Sequence, residues 1–295
     1  MDYRSGKIDL HIHSTASDGS LSPEAILTLA AEKGLCAIAL TDHDSVEGVK
    51  VLFGTGNPTE VELLSGVEIS AAPPSAFGLS GSVHILGYGI DVYHPKLNEI
   101  LEKQQRARIN RTPQIIDRLN QFGISLTLAD IQSEIGHQQI ARPHIAQWLV
   151  KNGHAASMDE AFDRYLGKGR PGYVEKYRIP MDEAILYIRA AGGLAVLAHP
   201  GLLDLTETES YERFLVELMS MGLQGIEVYY PGHTPSQTLF FKNLAAKLGL
   251  LITGGTDFHG DINPEIQLGT GQGDLSIPYT VYESIAAALK VNRCN

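Results

Sequence analysis

The sequence predicts an α/β fold made of parallel β-α units. Short runs rich in Ile, Val and Leu recur along the chain, and stretches with a helical pattern separate most of them. Segments that combine histidine with carboxylate side chains lie in or just after these runs, as expected for loops at the carboxyl ends of parallel strands. The predicted strands cover residues 7–10, 37–40, 62–64, 83–86, 194–198, 225–228 and 250–253.

The helix signals follow in chain order. Ser22 is a good N-cap, with Pro23 in the first turn and Gly34 at the end of the helix, and a later helix begins near Pro180. Residues 96–180 contain no strand-like run and show helical patterns at 97–122, 127–135, 142–152 and 158–166. We therefore expect an inserted helical domain over 96–180, capping a barrel formed by 1–95 and 181–295.

Composition indicates a globular protein with a large core and an acidic balance. The chain has 295 residues, 43% of them hydrophobic, and a net charge of −11. Residues 96–180 hold 13 basic and 9 acidic side chains, a balance of +4, which leaves −15 for the remainder. This balance argues against a stable nucleic-acid partner and is compatible with a nucleotide or a short oligonucleotide as substrate.

Two further observations bear on location. With only two cysteines, Cys36 and Cys294, neither a disulfide framework nor a thiolate zinc site is supported, and a reducing cytoplasm is expected. The amino-terminal residues contain no apolar signal region, and no window approaches the roughly 18 apolar residues of a membrane helix. No membrane association is expected.

Six of the eleven histidines fall in the polar segments near the predicted strands. His11 and His13 are two residues apart, so both side chains lie on one face of a strand, about 7 Å apart at Cα, and a loop to Asp18 can return a carboxylate to the same place. Glu68 offers two oxygens that suit a bridge between metals, although a surface glutamate is the alternative. Imidazole and carboxylate are the ligand set of zinc, manganese and iron, and this group is too rich for one ion.

The remaining segments are more ambiguous when taken singly. His43 is predicted as a ligand, with Asp42 and Asp44 as helix caps or supporting groups. His84 lies in an apolar strand, where a satisfied core histidine is the usual interpretation. His199, Asp257 and His259 are ligand candidates, with loop or cap residues as the alternative. Four histidines in polar or turn-like sequence are predicted to lie at the surface: His94, His137, His154 and His233.

The order of these segments resembles the PHP (polymerase and histidinol phosphatase) family, and the match spans almost the whole chain. The resemblance rests on six segments: 9–13, 41–44, 66–70, 84–87, 198–200 and 255–259. Within the family, residues 141–144 and 164–174 are similar to the TrpH-like subgroup, whose members include a nucleoside 3′,5′-bisphosphate phosphatase and a 5′-to-3′ exoribonuclease.

The resemblance implies a distorted (β/α)7 barrel of the PHP type that holds three divalent ions. By matching positions, one ion is held by His11, His13, Glu68 and Asp257, a second by Glu68, His84 and His199, and a third by Asp18, His43 and His259. Many relatives carry histidine at the position of Asp18, so manganese or iron is favoured over zinc. Glu68, His199 and Asp257 are also the candidate catalytic residues.

Together these observations predict a metal-dependent phosphoesterase, a hydrolase acting on ester bonds. The expected nucleophile is a hydroxide that bridges two ions, and the expected substrate is a nucleoside 3′,5′-bisphosphate whose second phosphate is held by Arg142 and His144. Arg142 can equally be a helix-start residue before Pro143. The alternatives are 5′-to-3′ exoribonuclease activity on short RNA, a histidinol-phosphate-type phosphatase, and a metal-binding accessory module without activity.

Overall fold

The computed structural model describes residues 6–79, 83–135, 142–175, 177–205 and 207–294 as a mixed α/β protein. The strands are β1 Lys7–Ile12, β2 Leu35–Leu40, β3 Glu62–Ala72, β4 Val83–Tyr88, β5 Ile179–Pro180, β6 Leu194–Leu197, β7 Gly225–Tyr229 and β8 Leu251–Gly254. The helices are α1 Pro23–Glu32, α2 Glu47–Thr55, α3 Pro95–Gln121, α4 Leu128–Ile135, α5 Arg142–Lys151, α6 Met158–Ala161, α7 Met181–Ala190, α8 Thr208–Met221, α9 Pro235–Leu248 and α10 Tyr279–Cys294. The α/β class and all seven predicted strands are confirmed, and the two-residue β5 is an addition.

The strands pair in the order β1-β2-β3-β4-β6-β7-β8, and β5 pairs with β3. All neighbours are parallel except β4, which is antiparallel to both β3 and β6. The expectation of purely parallel units is therefore wrong at β4. The physical reason is that the connection 73–82 is shorter than the dozen or more residues that a parallel connection needs. Its described part, 73–79, carries a 3₁₀ turn at Ser75–Phe77 and no crossover helix.

The two ends of the strand order are joined by main-chain hydrogen bonds. The amide of Asp257 donates to the carbonyl of His11 at 2.8 Å, and the amide of His13 donates to the carbonyl of Phe258 at 2.9 Å. Ile12 and Phe258 form an isolated parallel bridge at this point. The residues that follow β8 thus make the connection to β1, and we refer to these two hydrogen bonds as the β1–β8 seam.

Alternate residues of the strands enter two hydrophobic clusters, so the sheet is buried on both faces. Leu86 and Tyr88 of β4 pack with Ile285 of α10 in one cluster, while Ile85 of β4 packs with Ile188 of α7 in the other. Helix ends follow local rules: the Ser22 hydroxyl accepts the Ala25 amide of α1, as predicted. Large apolar area is therefore removed from water on both faces, which stabilises the sheet that carries the candidate site.

The chain divides into two compact units, one made of Met1–Glu102 with Arg178–Asn295 and the other of Lys103–Tyr177. The second unit has its own core, which includes Leu119, Ile145, Trp148 and Leu149. Its helices lie close to the predicted segments, although the fourth segment forms α6 followed by a π-helical turn at Phe162–Leu166. The predicted division at 96 and 180 and the predicted capping role stay predictions. No helix in the described ranges combines the length and apolar character needed to cross a membrane.

Candidate metal centre

The nine predicted metal-ligating residues converge at one end of the sheet. His11 lies in β1, Glu68 in β3 and His84 at the start of β4, whereas the other predicted ligands follow β1, β2, β6 and β8. Because β4 is antiparallel to its neighbours, its first residues lie at the edge where the parallel strands end, and His84 pairs with Ser70 there. The strand reversal explains how a histidine at the beginning of a strand joins residues at the ends of others.

Glu68 lies at the middle of the cluster and is fully buried. Five imidazole nitrogens face its carboxylate. They are His84 Nδ1 and His199 Nε2 at 2.8 and 3.0 Å from Oε1, and His43 Nδ1, His13 Nε2 and His11 Nε2 at 2.8, 3.3 and 3.4 Å from Oε2. Burial by itself raises the pKa of Glu68, but the facing imidazoles of His43, His84 and His11 hold this pKa well below its usual range. The carboxylate is therefore ionised and uses both oxygens.

Asp257 completes a group with His11, His13 and Glu68, in which one ligand atom from each residue lies within 4.8 Å of the others. Its Oδ1 lies 3.0 Å from His13 Nε2 and 3.4 Å from His11 Nε2. Its Oδ2 accepts a hydrogen bond from the Tyr230 hydroxyl at 3.2 Å. Burial raises the pKa of Asp257, but His11 and His13 outweigh that effect and hold the pKa far below its usual value. This group coincides with the set predicted for the first ion.

Two further groups share members with the first. His13, Asp18, His43 and His259 form one, which is the predicted third set with His13 added. Asp18 Oδ1 lies 3.5 Å from His259 Nε2, and Asp18 is the most exposed of the carboxylates in the cluster. His43, Glu68 and His84 form the other. The predicted second set contained His199 in place of His43. His199 and His84 both contact Oε1 of Glu68, whereas His43 contacts Oε2. The assignment of ligands to particular ions stays a prediction.

The donor atoms of this cluster fit divalent cations. Six buried side-chain atoms of the described cluster make no hydrogen bond, although several of them lie within 3.4 Å of a facing nitrogen or oxygen: His11 Nε2, His13 Nδ1, His13 Nε2, His43 Nδ1, Glu68 Oε2 and His199 Nδ1. Buried polar atoms are normally paired, and imidazole nitrogens and carboxylate oxygens are the ligands of manganese, iron and zinc. Burial lowers the pKa of His13, yet Asp257 and Glu68 outweigh it and raise this pKa to about 10. The buried carboxylates thus favour positive charge among them, which bound dications would provide.

A layer of supporting groups lies behind the cluster. Asp42 accepts hydrogen bonds from the amide of Ser14 at 2.7 Å and from the hydroxyl of Ser17, and Asp44 accepts from the amide of Ser70. The predicted cap role is therefore wrong for both aspartates, because α2 has no side-chain cap and its N-cap is Val46. Their carboxylates instead bind the loop that follows His13 and the strand β3 that carries Glu68, as the alternative supporting role requires.

Asp9 belongs to the same supporting layer. It is buried and accepts hydrogen bonds from the amide and hydroxyl of Thr256 and from the amide of Gly269. Burial raises its pKa to about 6, although these donors oppose the shift. Asp9 therefore connects β1 to the segment that carries Asp257.

Sequence reasoning missed three side chains near the cluster. Glu227 of β7 is fully buried and contacts His11 Nδ1 and the amide of His199. Tyr230 contacts Asp257, and its ring lies 5.4 Å from that of His199. His233, predicted at the surface, is buried because it accepts the Gly201 amide and contacts the Val228 carbonyl. Only Glu227 had a sequence signal, as a charged residue inside an apolar strand.

The predicted substrate contacts Arg142 and His144 lie at the start of α5, in the second compact unit. Both side chains are partly buried, and the Arg142 guanidinium lies 5.9 Å from the centre of the Phe162 ring. Burial lowers the pKa of His144 below its usual value. Their role toward a substrate stays a prediction, and His137 lies outside the described residues.

The chain is similar to known proteins over most of its length. A family model described as the PHP domain matches residues 9–240. A 5′-3′ exoribonuclease of Haemophilus influenzae is 34% identical over 86% of this chain and 90% of its own length. A 3′,5′-nucleoside bisphosphate phosphatase of Chromobacterium violaceum is 35% identical over 85% of this chain and 87% of its own length. The solved structure of a C. violaceum amidohydrolase with bound sulfate has a TM-score of 0.75 and 32% identity, and it covers 97% of this chain and 96% of that one.

Proposed function

The chain belongs to the PHP family and is a metal-dependent phosphoesterase, and from this premise we propose that it hydrolyses a nucleoside 3′,5′-bisphosphate to a monophosphate. The observation that carries the proposal is the convergence of six imidazoles and three carboxylates, several of whose buried donor atoms lack hydrogen-bond partners. The similarity to a 3′,5′-nucleoside bisphosphate phosphatase over most of the chain supports the substrate.

The contacts of the cluster distinguish residues that would bind ions from residues that orient them. Three divalent ions, of manganese, iron or zinc, would be held by the nine predicted ligands, with Glu68 shared between groups. Such ions polarise a phosphoryl group and lower the pKa of an attacking water. The Tyr230 hydroxyl occupies one oxygen of Asp257 and leaves the other directed at His13 and His11. The supporting hydrogen bonds thus orient ligands before a substrate arrives.

The size of the substrate is limited by charge. The acidic balance of −15 outside residues 96–180 repels a long polyanion, while the balance of +4 within 96–180 favours a compact anion with more than one phosphate. We assign the second phosphate to Arg142 and His144, which gives a bisphosphate two sites of interaction where a monophosphate has one. The small number of cysteines supports a cytoplasmic location.

The experiment is a substrate comparison with manganese-loaded and chelator-treated protein. We expect kcat/KM for adenosine 3′,5′-bisphosphate to exceed that for AMP by at least about a hundredfold, which corresponds to about 3 kcal/mol from the second phosphate. Chelation should abolish the activity. Equal rates on the two nucleotides would overturn the bisphosphate assignment, and inactivity of the manganese-loaded protein on all phosphate esters would favour an accessory module.

A second candidate, a 5′-3′ exoribonuclease, is favoured by the 34% identity to the Haemophilus influenzae enzyme of that name. The same experiment separates it from the first when a 5′-phosphorylated oligoribonucleotide and histidinol phosphate are included. Stepwise release of mononucleotides from the oligoribonucleotide, without hydrolysis of the bisphosphate, would establish the exoribonuclease. Hydrolysis of histidinol phosphate alone would identify a histidinol-phosphate-type phosphatase.

A further inference from the structure

We infer that Glu227 is a positioning residue, which orients His11 and His199 toward the candidate metal centre through its two carboxylate oxygens. This inference rests on the proposed function, because it assumes that the cluster binds metal. Glu227 lies on β7, opposite Thr253 of β8, and its side chain is fully buried. Oε1 lies 3.0 Å from Nδ1 of His11, and Oε2 accepts the main-chain amide of His199 at 2.7 Å.

The first contact selects the nitrogen that His11 directs at the centre. The Glu227 oxygens act as acceptors here, since Oε2 accepts the His199 amide, and with Oε1 in the same role the Nδ1 of His11 carries the proton of this contact. The other nitrogen, Nε2, lies 3.4 Å from Glu68 Oε2 and 3.4 Å from Asp257 Oδ1, and it has no hydrogen-bond partner. The carboxylate thereby leaves the Nε2 lone pair available to an ion, as second ligand layers do in metal sites.

The second contact holds His199 in an unusual main-chain conformation. His199 has φ 27° and ψ 60°, in the left-handed region of main-chain conformation that residues other than glycine rarely adopt. In this conformation its Nε2 lies 3.0 Å from Glu68 Oε1. The 2.7 Å hydrogen bond from the His199 amide to Glu227 connects this strained residue to the buried strand β7. Its ring direction therefore depends on a group that does not itself face Glu68.

A neighbouring contact reinforces the same turn. The Gly201 amide, in the 3₁₀ turn Pro200–Leu202, donates to Nε2 of His233 at 3.1 Å. His233 Nδ1 in turn donates to the carbonyl of Val228, the residue after Glu227. Both anchors of the turn thus come from β7 or the residues after it. Glu227 differs from His233 in that it also contacts His11, so it connects ligands that are predicted to serve two different ions.

The test is the affinity of the full-length protein for Mn²⁺ alone, measured from the electron paramagnetic resonance signal of the free ion. Glu227→Gln keeps the size of the side chain, but an amide cannot accept at both positions, because its nitrogen must face either His11 or the His199 amide. We expect the variant to keep the native circular dichroism spectrum and to bind at least one Mn²⁺ at least about tenfold more weakly. Excess Mn²⁺ should restore kcat, which a purely structural defect would not allow.

The matched control is Glu217→Gln, which removes the same charge from an exposed position on α8 and should leave Mn²⁺ affinity unchanged. If Glu227→Gln does not fold, Glu227→Asp keeps the charge on a shorter chain that cannot reach both partners, and it should show the same loss. Native affinity in a folded Glu227→Gln, or in Glu227→Asp where that variant is needed, overturns the inference. A native protein that binds Mn²⁺ but hydrolyses no nucleotide overturns the proposed function alone, whereas one that binds no Mn²⁺ overturns both.

Discussion

Replacement of Glu68 by glutamine tests the metal centre at its most connected residue. Oε1 faces His84 and His199, and Oε2 faces His43 at 2.8 Å, so the new amide nitrogen must face an imidazole in either orientation. An amide nitrogen does not bind a dication. The substitution therefore removes one ligand atom from the cluster whichever way the side chain turns, while it preserves the volume of the buried side chain.

The expected magnitude follows from the number of groups that contain Glu68. It belongs to two of the three groups that bring metal-ligating atoms together, so bound manganese should fall by more than one ion per chain. A ligand present at a thousand times its Kd stabilises the folded state by about 4 kcal/mol per site. The loss of two sites would then remove about 8 kcal/mol of metal-dependent stability, or roughly 15 °C in Tm for a chain of this size.

The assay is elemental analysis after reconstitution with manganese and desalting, together with thermal unfolding in manganese and in a chelator. Glu47→Gln is the control, because Glu47 lies exposed on α2 and pairs only with Lys50 among the ion pairs of the described residues. Its metal content should equal that of the native protein. One ion or none in both the native protein and Glu68→Gln would refute the multinuclear centre.

Three further predictions concern other parts of the chain. Arg142→Ala should lower kcat/KM for a 3′,5′-bisphosphate by on the order of 30-fold, about 2 kcal/mol, with metal content unchanged. The control Arg164→Ala removes an exposed ion pair with Glu160 and should have little effect on kcat/KM. Native kcat/KM in Arg142→Ala would refute the phosphate contact. His233→Gln should destabilise the protein by about 1–2 kcal/mol at pH 7.5, measured by urea unfolding, because it loses buried hydrogen bonds. Burial lowers the pKa of His233, so the native ring contributes stability above pH 6.5 that is lost as the pH falls. The difference in stability between the native protein and His233→Gln should therefore be smaller at pH 5.5 than at pH 7.5. A difference that does not change with pH would contradict this. Gly255→Ala should lower the free energy of unfolding by about 3 kcal/mol or more, because the added Cβ would overlap the main chain of His11. Gly54→Ala, whose Cβ would meet nothing within 4 Å, should leave stability unchanged or raise it slightly. Equal stability of the two variants would contradict the close approach of Gly255 to His11.

The sequence predicts most of the fold because the relevant signals are local. Each of the seven strands is a short apolar run, and the α1 boundaries follow from Ser22, Pro23 and Gly34. The direction of β4 cannot be predicted in this way, because the apolar pattern of a strand that is buried on both faces is the same whether the strand is parallel or antiparallel to its neighbours. Only the length of the connection before β4 carries that information. The two-residue β5 is too short to leave a pattern.

The candidate site also contains residues that the sequence predicts and residues that it does not. The nine predicted ligands are recognisable because they occur in short polar segments next to strands, and the structure brings all of them to one end of the sheet. Glu227 escapes prediction because its partner His11 is 216 positions away. His233 escapes because it lies in turn-like sequence, and its contact with the Gly201 amide, 32 positions away, leaves no local pattern. A buried carboxylate on an apolar strand signals a partner but does not identify it.

The β1–β8 seam has a consequence for local opening of the protein. Its two hydrogen bonds use the amides of His13 and Asp257, which are residues of the candidate metal centre. We therefore expect an ion bound by these residues to slow the opening of the sheet at this point. Amide hydrogen exchange at His13 and Asp257 measures this opening, and we expect slower exchange there in manganese than after chelation.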